Sequence, residues 1–155
     1  MPDLLSVVRR LPLGLCGVVF RHDGVPGRAG LGRAVLLACR AQRLVMVSAG
    51  PAVPGAGVHL RRGRGRPGPG MPATASAHGT VEMVRALRGG ADAVFLSPAF
   101  PTASHPGAPA FGPVRWAAKA RGRGAVLALG GVDGVTARRL PRWAVGAGAI
   151  GALSR

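Results

Sequence analysis

Short apolar runs alternate along this chain with stretches in which apolar residues recur every three or four positions, the pattern of a parallel α/β protein. The candidate strands are Leu15 to Phe20, Leu44 to Val47, Gly57 to Leu60, Ala73 to Ser76, Ala93 to Leu96, Ala125 to Leu129 and Ala147 to Ala152. Helical spacing predicts helices over Asp3 to Arg10, Ala29 to Gln42, Thr80 to Arg88, Pro113 to Ala120 and Gly134 to Leu140, the third with Val81, Val84 and Leu87 on one face. The span from Val47 to Gly57 is shorter than the usual crossover of about a dozen residues, so one unit lacks its helix. Such a sheet either closes into an eight-stranded barrel or stays open with helices on both faces, and periodicity does not separate the two.

With 155 residues, 48% of them hydrophobic, the chain can build one domain over residues 1–155 with a substantial core. The longest apolar runs, Ala34 to Cys39 and Ala125 to Leu129, fall far short of the roughly 20 residues of a membrane span. Arg9 and Arg10 follow the first apolar residues and Pro12 interrupts what comes next, which is not the order of a secretory signal; a cytoplasmic protein is expected. Cys16 and Cys39 lie in apolar settings without CxxC spacing and read as buried free thiols.

A formal charge of +16 suggests nucleic acid at first sight. Lys119 is the only lysine, however, and a chain rich in Gly, Ala, Pro and Arg with no Tyr reflects GC-rich codon usage, which disfavours that reading. The densest basic stretch, Arg61, Arg62, Arg64 and Arg66, lies in a Gly/Pro-rich segment spanning 61–72 that is expected to form a flexible loop. A phosphate-attracting rim and an RNA-binding segment are the alternatives, the latter lacking interleaved aromatics for base stacking.

The most informative stretch runs from Gly90 to His105. A strand ends at Leu96, and the loop after it offers the Thr102 and Ser104 hydroxyls and the His105 imidazole on a path stiffened by Pro98 and Pro101. Barrel enzymes place their active sites on such loops. Gly90-Ala91-Asp92-Ala93 followed by Ser97-Pro98-Ala99-Phe100-Pro101-Thr102-Ala103-Ser104-His105 resembles the thiamine-phosphate synthase and thiazole tautomerase superfamily, where a GADY strand precedes a GPxFxTxTK loop. Thr74-Ala75-Ser76-Ala77-His78 is similar to the family's GVSxH strand, and Ala128-Leu129-Gly130-Gly131-Val132 to its strand and glycine pair. The C-terminal part, about 73 to 153, carries the resemblance most strongly.

The resemblance implies a (β/α)8 TIM-type barrel whose seven candidate strands are the second to the eighth, the first lying upstream of Met1; an unclosed edge of this kind favours self-association into a homo-oligomer. It implies a transferase of thiamine biosynthesis that joins an aminopyrimidine diphosphate to a thiazole phosphate and releases pyrophosphate. Thr102 and Ser104 then contact the thiazole, Ser76 and Arg21 the diphosphate, and Gly130 and Gly131 the thiazole phosphate. His105 stands where the family has a pyrophosphate-binding lysine, a weaker and pH-dependent cation. The phosphate-binding serine of the last strand falls on Gly151 or on Ser154; Gly151 keeps Ala149, Ile150 and Ala152 in apolar strand positions. Pro98 occupies the catalytic histidine position of the tautomerase branch and cannot transfer protons.

Several departures bear on chemistry. Magnesium is expected from the family, but Asp3, Asp23, Glu82, Asp92 and Asp133 are the only carboxylates and none falls on a family ligand position. Asp133 reads as a helix N-cap, His78 as a helix-start residue, and Trp116 and Trp143 as packing residues on outer helices. Two alternatives to the transferase therefore stand: a catalytically degenerate phosphate-binding homologue without a metal site, and a basic nucleic-acid-binding protein.

Overall fold

The computed structural model describes residues 4–102 and 107–150. It is an α/β protein with six strands whose described pairings are all parallel. The chain divides into two compact units, one formed by the residues up to His59 with Pro67–Ala73, the other by Leu60–Arg66 with the residues from Thr74.

In the first unit, α1 (Leu4–Arg9) and α2 (Arg28–Ala41) accompany β1 (Gly17–Phe20), β2 (Val45–Ser48) and β3 (Gly57–Leu60), with β2 pairing to both β1 and β3. Gly32, Val35, Leu36 and Cys39 of α2 recur at the i, i+3, i+4, i+7 spacing of one helix face, and all are buried. That face meets Phe20, Met46 and Val53 in the core, each such apolar side chain contributing about 1.5–3 kcal/mol on burial. The contact is close: a Cβ on Gly32 would lie 2.8 Å from Val53 Cγ2 and 3.2 Å from Phe20 Cε1. As expected from its length, the β2–β3 connection contains no helix. Segment 67–73 returns to β3, where the Val58 N–H donates to the Pro72 carbonyl at 2.9 Å.

Cys39 is fully buried, and that burial pushes its thiol up from the ordinary range. Cys16, expected to be buried, is only half-buried just before β1, packed at the margin of the core and preceded by the exposed Leu13 and Leu15. At pH 8 a disulfide reagent is accordingly expected to modify Cys16 at least about tenfold faster than Cys39; equal rates, read by mass spectrometry, would contradict this burial.

The second unit contains the 3₁₀ turn Arg61–Gly63, then β4 (Ala73–Ala77), α3 (Thr80–Arg88), β5 (Ala93–Leu96), α4 (Gly112–Ala120), β6 (Val126–Ala128) and the 3₁₀ turn Thr136–Arg139. Strand β5 pairs with β4 on one side and β6 on the other. Ala75, Ala77 and Ala128 are buried small strand residues, which leaves room for the large side chains of Met83, Phe100 and Trp116 in the same core. Trp116 is the largest fully buried side chain, and its indole N–H donates to the Leu96 carbonyl at 3.2 Å.

Tertiary packing corrects three expectations. On α3 the buried residues are Met83 and Ala86, while Val81 is 73% exposed: the buried stripe is rotated away from the Val81–Val84–Leu87 row, which lies along its margin. Gly134 to Leu140 forms only a 3₁₀ turn over Thr136–Arg139, and Trp143 lies beyond it, off any helix and 45% exposed, stacked on Trp116 with ring centroids 6.2 Å apart. Of the final strand, the described part is a single parallel bridge from Ala147 to Ala128; residues 151 and 152 lie outside the described residues.

Candidate functional site

Strands β4, β5 and β6 end side by side, and the segments that follow hold the chemistry of the second unit. The loops after β5 and β6 are zipped together by backbone hydrogen bonds. Ala99 N–H donates to Leu129 O at 2.7 Å and Phe100 N–H to Gly130 O at 3.0 Å. Only glycine allows this approach at two consecutive positions. Gly130 and Gly131 have φ of 89° and 62°, a Cβ on Gly131 would overlap the Pro101 carbonyl oxygen, and one on Gly130 would lie 3.0 Å from Pro98 Cα.

Asp133 and Thr136 hold the far side of the glycine pair. The Asp133 carboxylate accepts the N–H groups of Val135 and Thr136 at 2.9 and 2.8 Å; the helix it was expected to cap does not form, the residue that caps the 3₁₀ turn is Val135, and Asp133 instead holds the turn that leads into it. The Thr136 hydroxyl donates to Gly131 O at 2.9 Å and accepts the Asp133 N–H at 2.8 Å. Among the described residues, no acceptor is paired with the N–H groups of Gly130, Gly131 and Val132. Three successive peptide donors, in a backbone pinned from both sides and free of side chains at the glycines, suit the oxygens of an anion. The Arg139 guanidinium lies 5.6 Å from the centroid of the buried Phe100 ring, the residue whose N–H donates to Gly130 O.

The ends of β4 and β5 bring a second polar pair together. Ala77 and Leu96 are register partners, so the residues that follow them, His78 and Ser97, lie side by side, with Ser97 Oγ 3.2 Å from His78 Nδ1. Ser97 is 8% exposed, and the Ser97–Pro98 peptide is cis. The His78 N–H donates to Glu82 Oε2 at 2.8 Å, fixing the imidazole's backbone at the entry to α3. A hydroxyl and an imidazole so placed can share a proton or bind one substrate oxygen between them.

The other residues singled out in the sequence are distributed unevenly. Thr102 directly follows the Pro101 carbonyl that abuts Gly131, and so shares the glycine pair's neighbourhood. The Ser76 hydroxyl accepts the Arg62 N–H at 3.2 Å and thereby holds a loop residue with a left-handed φ of 53°. Ser104, His105 and Gly151 lie outside the described residues. Arg21 belongs to the first unit, where it is exposed just beyond β1. There the Arg28 guanidinium donates to Ser48 Oγ, Ala49 O and Pro51 O at 2.9, 3.0 and 2.9 Å and lies over Phe20, while His22 stacks on the same ring.

Sequence reading missed the Ser97–His78 pair and Arg139. The pair has a signal in the chain, since each residue immediately follows a strand; Arg139 has none, because its relation to Phe100 depends on how the chain turns after Gly131. For magnesium, the donor set does not fit. The Glu82 and Asp133 carboxylates are engaged with backbone N–H groups, and no three His, Cys, Asp or Glu side chains converge among the described residues.

The fold is shared with solved structures. The chain matches thiamine phosphate pyrophosphorylase from Pyrococcus furiosus with a TM-score of 0.76 and 20% identity, covering 96% of this chain and 80% of that one. A native KDPGal structure matches with a TM-score of 0.54 and 16% identity, covering 92% and 84%. No family model and no curated protein matches the chain. At these identities the likeness establishes a divergent thiamine-phosphate synthase-like fold. No helix among the described residues is long and apolar enough to cross a membrane.

Proposed function

We propose that this protein is a thiamine-phosphate synthase-like transferase that joins an aminopyrimidine diphosphate to a thiazole phosphate and releases pyrophosphate. The observation that carries the reading is the pinned Gly130–Val132 backbone, whose three unpaired N–H groups face a small anion's requirements at the end of β6. The fold shared with thiamine phosphate pyrophosphorylase supports it, as does the neighbouring Thr102 on the family's loop. The same reading makes the six strands the second to the seventh of an eight-stranded barrel, with the Ala147 bridge marking the eighth.

In this role the Gly130–Val132 donors bind the thiazole phosphate and Arg139 offsets its charge, while Thr102 orients the ring and the Ser97–His78 pair donates to an oxygen of the second substrate. Among the described residues no set of donors suits magnesium. That feature favours one second reading, a phosphate-binding homologue that no longer transfers.

The test is thiamine phosphate formation from both substrates, with and without magnesium, alongside calorimetric binding of the thiazole phosphate. Saturable binding, weakened about tenfold by Arg139→Met as for loss of one charge-assisted contact, together with turnover is the expected result. Binding without turnover selects the non-catalytic reading. Absence of binding by a folded wild-type chain overturns both.

A further inference from the structure

We propose a second anion site in the same unit, specific for a short polyphosphate chain and built from four arginines that no step of the transfer uses. Arg64 and Arg66 of the loop after the first 3₁₀ turn and Arg85 and Arg88 of the last turn of α3 line one open concavity of ≈ 430 Å³, within the size range of small-molecule clefts. Its remaining lining is Gly63, Gly65 and Gly89, with no acidic residue.

Arginine-rich composition accounts for many arginines, not for four converging on one hollow. Two of them, Arg85 and Arg88, have an ordinary role beside the negative end of the α3 dipole. Arg64 and Arg66 do not belong to that helix, and the loop that carries them is docked on it with specific small residues. Gly63 has φ 63°, and a Cβ there would lie 2.6 Å from Glu82 O and 2.9 Å from Ala86 Cβ; Gly65 has φ 102°. The Ser76 hydroxyl fixes the adjacent Arg62 N–H. The chain thus presses a cationic loop against a cationic helix end. That juxtaposition costs free energy when empty and favours a ligand with several closely spaced negative charges, each guanidinium offering a planar fork to phosphate oxygens.

The hollow is separate from the strand-end site. Thr80, the first residue of α3, and Arg88, its last, are roughly 12 Å apart along the axis at about 1.5 Å per residue, with His78 before the first and Gly89 of the hollow beyond the last. The proposal is therefore independent of the transferase reading.

Calorimetric titration of the full chain with orthophosphate, pyrophosphate and linear triphosphate at low salt tests it. Triphosphate is expected to bind tightest. The pair variants Arg64→Ala/Arg66→Ala and Arg85→Ala/Arg88→Ala should each weaken it at least about tenfold, while Arg9→Ala/Arg33→Ala, which removes the same charge elsewhere, should change it less than about twofold. If either pocket variant fails to fold by circular dichroism, the other decides. Equal losses in the control mean unspecific charge and overturn the proposal. So does a single-stranded RNA lacking terminal phosphates that binds more tightly than triphosphate through the same arginines, which assigns the surface to nucleic acid instead.

Discussion

Alanine at Gly131 should lower the unfolding free energy by about 3–5 kcal/mol, a large part of the roughly 5–15 kcal/mol typical of a natural domain. Two effects combine. A left-handed backbone, here φ 62°, costs a residue with a Cβ roughly 1–2 kcal/mol. The added methyl would also overlap the Pro101 carbonyl oxygen and lie 2.8 Å from Phe100 O, and because both are backbone atoms no rotamer relieves the clash. Gly130→Ala meets Pro98 only at 3.0 Å and should cost less. Because the same movement displaces the Gly130–Val132 donors, thiazole phosphate binding should vanish in the Gly131 variant even below its melting temperature. A urea midpoint within about 0.5 kcal/mol of wild type would show that these loops do not lie as close as described.

The second large effect is expected at Trp116. Truncation to alanine removes a fully buried indole from a core whose strands contribute mainly alanines, and nearby small side chains cannot collapse to fill the space. A loss of about 3–5 kcal/mol follows from such a cavity. Trp116→Phe keeps most of the volume and loses the hydrogen bond to Leu96 O, so it should cost roughly 1–2 kcal/mol. Comparable losses in the two variants, measured by urea unfolding, would place the importance of Trp116 in its hydrogen bond and not in its volume. The stacked Trp143 is half in water, and its replacement should matter much less.

Much of the fold was legible because local periodicity and burial agree. Gly57–Leu60, Thr80–Arg88 and Ala93–Leu96 form with the bounds their pattern predicts, and α2 differs by one residue at each end. Agreement weakened where the periodic signal is short or rotated. On α3 the spacing places Val81, Val84 and Leu87 on one face, yet the buried residues are Met83 and Ala86, since a nine-residue helix has too few turns for spacing alone to locate its buried stripe. The final strand is Gly- and Ala-rich, a composition that specifies register poorly, and its described portion amounts to one bridge.

At the candidate site the chain by itself pointed to the loops after β5 and β6 and to a backbone need for two adjacent glycines, since motif order and backbone freedom are properties of the sequence. The Asp133 turn, in which the carboxylate accepts the Thr136 N–H, is likewise a local interaction over three residues, although the helix expected after it does not form. Only the tertiary structure decided what those groups meet: the Gly131–Pro101 approach, the Ser97–His78 pair, Arg139 on Phe100, and the convergence of Arg64 and Arg66 with Arg85 and Arg88. These are contacts between segments that strand register and helix docking bring together. No local propensity encodes them, because they depend on the packing of the whole unit.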